Sequence, residues 1–295
     1  MTSRDPVIPA PDKGIRGQAP LGIQFISLGE TRLEYLDIPA SRPGRPELLL
    51  LHEGLGAVSM WREFPAALAA ATGCRTIAYS RRGFGRSSPR DGAYTPRFMH
   101  DEALETIPRL REALAIARPI LVGHSTGASM ALIHAAAAPR DVAGVVAMAP
   151  LTDVEHSNVE SILQARRVYE STDWREKLGR HHDDVDGVFY GWNDTWLKPE
   201  FRDWNILEDI AAIRCPILAI LGEDDEYSSV RQLAAITDHA RQSPRVQLMR
   251  IVKCGHAPHR DRPDLVIPAI ANFVDAAAPS PQKGVPACGK GHFER

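Results

Sequence analysis

Paired cysteines are missing from this chain. Its four, Cys74, Cys215, Cys254 and Cys288, are scattered singly with no C-x-x-C spacing, which excludes a zinc ribbon or a disulfide framework and leaves thiols packed as small hydrophobes. An excess of one charge is missing as well. The 35 Lys and Arg stand against 37 Asp and Glu, for a net charge of −2, so neither nucleic acid nor an anionic membrane is expected as a partner. No apolar run is long enough to span a bilayer, and residues 1–20 lack the apolar stretch of a secretory signal, so a cytoplasmic location is expected. Gly83-Phe84-Gly85 lacks the third glycine and the later acidic residue of a dinucleotide fingerprint. His181-His182-Asp183-Asp184 has the residue types of a metal site but no partner cluster, and reads as a solvated turn. No cofactor and no metal are therefore expected.

What is present is a chain of 295 residues, 44% hydrophobic, long enough for one large domain or a domain with an insertion. Residues 1–20, rich in Pro, Gly and charge, read as a flexible arm, and 278–295 as a flexible tail. Residues 23–28 and 31–38 alternate apolar with polar across Gly29-Glu30, as an edge hairpin does. Leu48-Leu49-Leu50-Leu51 is continuously apolar, the signature of a strand covered on both faces. Helical patterns at 58–71 and 96–117 then alternate with strand patterns at 75–79, 120–124 and 142–149. The rhythm breaks over residues 151–205, which hold four of the five Trp and no buried-strand run, and it resumes from 206 to 277. Alternating strands and helices imply right-handed crossovers and a mostly parallel sheet flanked by helices, so the fold class is α/β. The core is expected at 21–150 and 206–277, with 151–205 an inserted helical lid.

Within this pattern one stretch carries chemistry. The apolar run at 120–122 ends in Gly123-His124-Ser125-Thr126-Gly127, and small or apolar residues at helical spacing follow. Strand, sharp turn and helix place Ser125 at the carboxyl edge of the sheet, flanked by glycines at i−2 and i+2. A serine hydroxyl is a weak nucleophile near neutral pH and needs a base, which in turn needs an acid to orient it. Later strand ends supply both types: Gly222-Glu223-Asp224-Asp225-Glu226 after one strand, and Cys254-Gly255-His256-Ala257-Pro258-His259 after the next.

The order Ser, Asp, His in these settings resembles the alpha/beta-hydrolase superfamily, in its lid-bearing, Ser-Asp-His branch, over roughly residues 22–277. The resemblance implies Ser125 as nucleophile, Asp225 as acid and His256 as base, with Glu223, Asp224 and His259 as weaker alternatives. It also implies an oxyanion hole made by the Thr126 N–H and a second N–H after the strand at 48–51. There the chain departs from the family's His-Gly, reading His52-Glu53-Gly54-Leu55, so the donor is Gly54 or Leu55 depending on alignment. Glu53 falls at the mouth as a substrate-reading group, a supporting group or a solvated carboxylate, and His124 as a packing residue. Ser80 stands where the family often has Asp before Arg-Gly-x-Gly, and the basic run Arg81, Arg82, Arg86, Arg90 reads as surface. The implied reaction is cleavage of a carboxylic ester or related acyl bond of a small to medium substrate, with Trp192 and Trp196 of the lid lining the acyl pocket. Thioesterase, carbon–carbon bond hydrolase, lyase and perhydrolase chemistry on the same three residues, or a slow-turnover small-molecule receptor, stay open. So does a homodimer.

Overall fold

A computed structural model describes residues 22–277. The expected calls on the two termini, and Cys288 with them, lie outside these residues. Eight strands form one sheet: β1 (Gln24–Leu28), β2 (Thr31–Ile38), β3 (Leu48–Leu51), β4 (Thr76–Tyr79), β5 (Ile120–His124), β6 (Gly144–Met148), β7 (Ile217–Gly222) and β8 (Val246–Ile251). Their order is β1-β2-β4-β3-β5-β6-β7-β8. The hairpin β1–β2 and the β2–β4 pair are antiparallel, and every later pairing is parallel. The alternating half-exposed sequence of β1 thus sits at one edge, while the all-apolar β3 lies in the interior.

Parallel strands need crossover segments, and helices supply them: α1 (Phe64–Thr72), α2 (Phe98–Asp101), α3 (Ile107–Ala113) and α4 (Thr126–Ala137) before β6. Between β6 and β7 come α5 (His156–Ser171), α6 (Trp174–Gly179), α7 (Val185–Leu197) and α8 (Leu207–Ala212). Then follow α9 (Val230–His239), α10 (Pro258–Asp261) and α11 (Pro263–Ala277). The side-chain period of two splits the strands between two cores. Leu49, Leu51, Leu121, Ala147 and Ala219 pack with residues of α3, α4, α8 and α9, whereas Leu48, Leu50, Val122, Val146 and Ile220 pack with α1 and α11.

Two expected helices are modified near a proline, one broken and one carrying a π-helical turn. Residues 58–71 divide into a 3-10 turn, Val58–Trp61, and α1, because Pro65 cannot donate to the ladder and its ring would crowd the carbonyl four residues back. Arg62, at φ 53°, makes the break. Residues 96–117 divide into α2, a π-helical turn at Glu102–Thr106 and α3, whose start holds Pro108; the wider turn relieves the same clash. A short antiparallel bridge between Asp153 and Asn205 joins the two ends of the segment that carries α5, α6 and α7. Those helices bring their own apolar cluster, in which Tyr169, Leu178, Val188 and Phe189 pack with Leu55 and Phe84 of the sheet's carboxyl edge.

Candidate active site

Ser125 follows β5 directly and caps α4. Its backbone has φ 53° and ψ −122°, a conformation that costs a side-chain-bearing residue about 1–3 kcal/mol and persists only where surroundings enforce it. They do so here: Ser125 N–H donates to Met148 O at 2.9 Å, and Ser125 O accepts from Ala128 N–H at 2.8 Å. A Cβ on Gly127 would collide with the carbonyl oxygens of Leu51 and His52, so only glycine lets the helix start this close to β3.

The loops after β7 and β8 converge on that hydroxyl. His256 Nε2 lies 2.9 Å from Ser125 Oγ, and His256 Nδ1 lies 2.8 Å from Asp225 Oδ1. The same Asp225 oxygen accepts from the N–H groups of Tyr227 (2.8 Å) and Ser228 (2.9 Å), which fix the carboxylate in a side chain only 1% exposed. Burial disfavours a charged His256 ring, but the Asp225 carboxylate and its hydrogen bond outweigh that and raise the ring above the ordinary histidine value. The alternatives fall elsewhere. Glu223 is ion-paired with Arg250 at 3.0 Å. His259, the alternative base, is buried against Trp61, Phe64 and His124, and burial drives its ring well below the ordinary value.

On the loop after β3, Gly56 N–H donates to Glu53 O at 3.1 Å and closes a turn with Gly54 and Leu55 at its centre. Neither central N–H is consumed by the turn's own bond, so both remain candidates for the second donor beside Thr126, the first residue of α4. The loop is held from beneath by Arg81, a residue expected at the surface. Arg81 is 4% exposed; its guanidinium donates to His52 O (2.6 Å) and Glu53 O (2.8 Å), and its N–H donates to His52 Nε2 (3.1 Å). Burial, then the Arg81 charge, pushes the His52 ring far down, which matches a neutral ring donating from Nδ1 to Glu53 O at 2.8 Å. Ser80 takes the place of the expected Asp by donating to Glu34 (2.6 Å) and accepting from Val58 N–H (2.9 Å), so the turn is still tied to β2.

Glu53 is not a solvated loop carboxylate. Its side chain is 18% exposed and faces His124 Nδ1 at 3.4 Å. His124 is correspondingly more than packing, since its Nε2 lies 2.6 Å from the His256 carbonyl. The two tryptophans differ. Trp192, half-buried, packs so closely on Gly54 that a Cβ there would overlap the indole. Trp196 is 2% exposed in a ring cluster with Phe201 and Trp204, and packing alone accounts for it.

The His181-His182 turn also differs from expectation. His182 is buried, accepts from Gly85 N–H at Nδ1 (3.0 Å) and donates from Nε2 to Leu55 O (2.9 Å), bridging two loops of the sheet edge. Nothing in the sequence marks it, because its partners are backbone groups 97 and 127 positions away. Among the described residues no group of three or more His, Cys, Asp or Glu is placed to hold a metal, and no helix is long and apolar enough to cross a membrane.

An eight-stranded, mostly parallel sheet with a serine elbow, a histidine and an aspartate gathered at its carboxyl edge defines the alpha/beta-hydrolase fold. The chain belongs to the alpha/beta hydrolase family, whose model matches residues 48–269. It is 26% identical to a proline iminopeptidase of Lactobacillus helveticus over 50% of its length, and 27% identical to a bifunctional esterase/perhydrolase of Acinetobacter calcoaceticus over 52%. The matches span 44% and 65% of those two proteins, so the chain covers less than half of the iminopeptidase. A crystal structure from work on carboxylesterases of the thaumarchaeon Nitrososphaera gargenis superposes with a TM-score of 0.68 at 20% identity, covering 86% of this chain and 98% of the other.

Proposed function

We propose that this protein is a serine hydrolase that cleaves a carboxylic ester or related acyl bond of a small to medium substrate through an acyl-enzyme. The observation that carries the reading is the hydrogen-bonded chain from Ser125 Oγ through His256 to Asp225. His256 takes the Ser125 proton as the oxygen attacks the acyl carbon; Asp225 holds the ring in the tautomer that leaves Nε2 free to accept. The Thr126 N–H and that of Gly54 or Leu55 stabilise the oxyanion. His256 then protonates the leaving group and draws a proton from water, which attacks the acyl-enzyme and releases Ser125. The relatives' names, an esterase and an iminopeptidase, both fit displacement at an acyl carbon, which supports the class.

Residues 151–205 act as the lid in this reading, with Trp192 against the oxyanion turn as the ring that meets the acyl group. The function is tested with a panel of aryl esters of increasing acyl length, assayed on the wild type and on Trp192→Ala. Turnover is expected, and Trp192→Ala should change the preference between acyl chains by roughly 1–3 kcal/mol. Absence of turnover across the panel would refute the ester reading; an equal fall for all chains would move specificity away from Trp192.

A further inference from the structure

His124 lies between two oxygens. Its Nε2 is 2.6 Å from the His256 carbonyl and its Nδ1 is 3.4 Å from Glu53 Oε2. The ring therefore faces an oxygen at each nitrogen, one on the turn after β3 and one on the loop that carries His256. Glu53 is built to stay ionised: burial works against its charge, but the contact with His124 outweighs it and holds the carboxyl well below the usual carboxylate range. Its backbone is equally fixed, with the carbonyl accepting from His52, Arg81 and Gly56. The carboxylate folds back over Gly56, where a Cβ would come within 2.5 Å of Oε2. Other titratable or charged groups facing the pair are His52, His256, His259 and Arg260.

We propose that Glu53 and His124 form a second carboxylate–histidine pair that positions the base, by locking the turn after β3 to the loop that carries His256. The proposal rests on the hydrolase reading above. The turn offers the candidate oxyanion donors and the loop offers the base, so one link holds in register the two parts that must meet the same acyl carbon. Small misplacements of such parts are costly in rate. Glu53 and His124 are positioning residues in this scheme, since neither touches Ser125 Oγ in the hydrogen-bonded chain.

The pair is tested without relying on turnover by NMR of 15N-histidine-labelled Ser125→Ala protein near neutral pH. Adding Glu53→Gln should shift the His124 Nδ1 resonance and leave that of Nε2, which faces the His256 carbonyl, nearly in place. With Ser125 intact, Glu53→Gln should lower kcat about ten- to a hundredfold while KM stays within about threefold. A His124 Nδ1 resonance indifferent to Glu53→Gln, or an unchanged kcat, would each overturn the pair. A wild type that fails to turn over any ester while His124 Nδ1 still responds to Glu53→Gln would instead overturn the hydrolase reading and uphold the link.

Discussion

At the scale of single residues, His256 is set by opposing influences. Burial disfavours its charged form, whereas Asp225 first, then Glu226 and Glu53, favour it, and the net result lies above the ordinary value of 6.5. Only the neutral ring can accept the Ser125 proton, so the acid limb of kcat/KM should fall at a pH higher than that of an unperturbed histidine. Asp225→Asn removes the main raising charge and frees the wrong tautomer; the limb should move to lower pH and kcat should drop by about 10⁴-fold. A pH–rate profile of both proteins on an uncharged ester checks this. A wild-type limb at or below 6.5, or one that Asp225→Asn leaves in place, would contradict the assignment.

At the scale of elements, the segment with α5, α6 and α7 is anchored to the sheet edge by buried polar contacts as well as by apolar packing. His182 is the clearest anchor: burial pushes its ring down to about 4, so it stays neutral and can accept from Gly85 while donating to Leu55. His182→Ala leaves a buried N–H and a buried carbonyl without partners, at about 1–3 kcal/mol each. The expected result is a lower melting temperature with faster amide exchange across residues 156–197 and across the turn at 53–56, while β5 to β7 stay protected. Unchanged exchange in both segments would mean that the anchor lies elsewhere. This element also marks the limit of what the sequence discloses. The run Leu48–Leu51 and the elbow at Ser125 are legible because their signals are local: continuous apolarity, and glycines at fixed offsets. Arg81, His182 and the Glu53–His124 contact are not, because what makes them matter is buried contact with groups distant in the chain, backbone for the first two and side chain for the third. Composition shows an arginine or a histidine; surface is the ordinary reading of the first, and the second is as often half-buried, with its partners not marked in the sequence.

At the scale of the whole molecule, the parallel register explains why residues as distant as 53, 125, 225 and 256 meet. Leu51 pairs with Gly123, His124 with Met148, Met148 with Ile220 and Gly222 with Ile251, so the carboxyl ends of these strands align and the loops leaving them share one edge. The turn at residues 53–56, the elbow at Ser125, Asp225 and His256 each occupy one such loop, and the helices between β6 and β7 leave from the same edge. The proposed function requires that this edge activate the Ser125 hydroxyl, and the most direct measurement is its reaction with a fluorophosphonate followed by mass spectrometry, run beside Ser125→Ala. The expected result is a single adduct on Ser125, with neither adduct nor ester turnover in the variant, whose activity should be lower by at least about 10³-fold at an unchanged melting temperature. An adduct on any other residue, or a Ser125→Ala protein that keeps activity within about tenfold of the wild type, would contradict it.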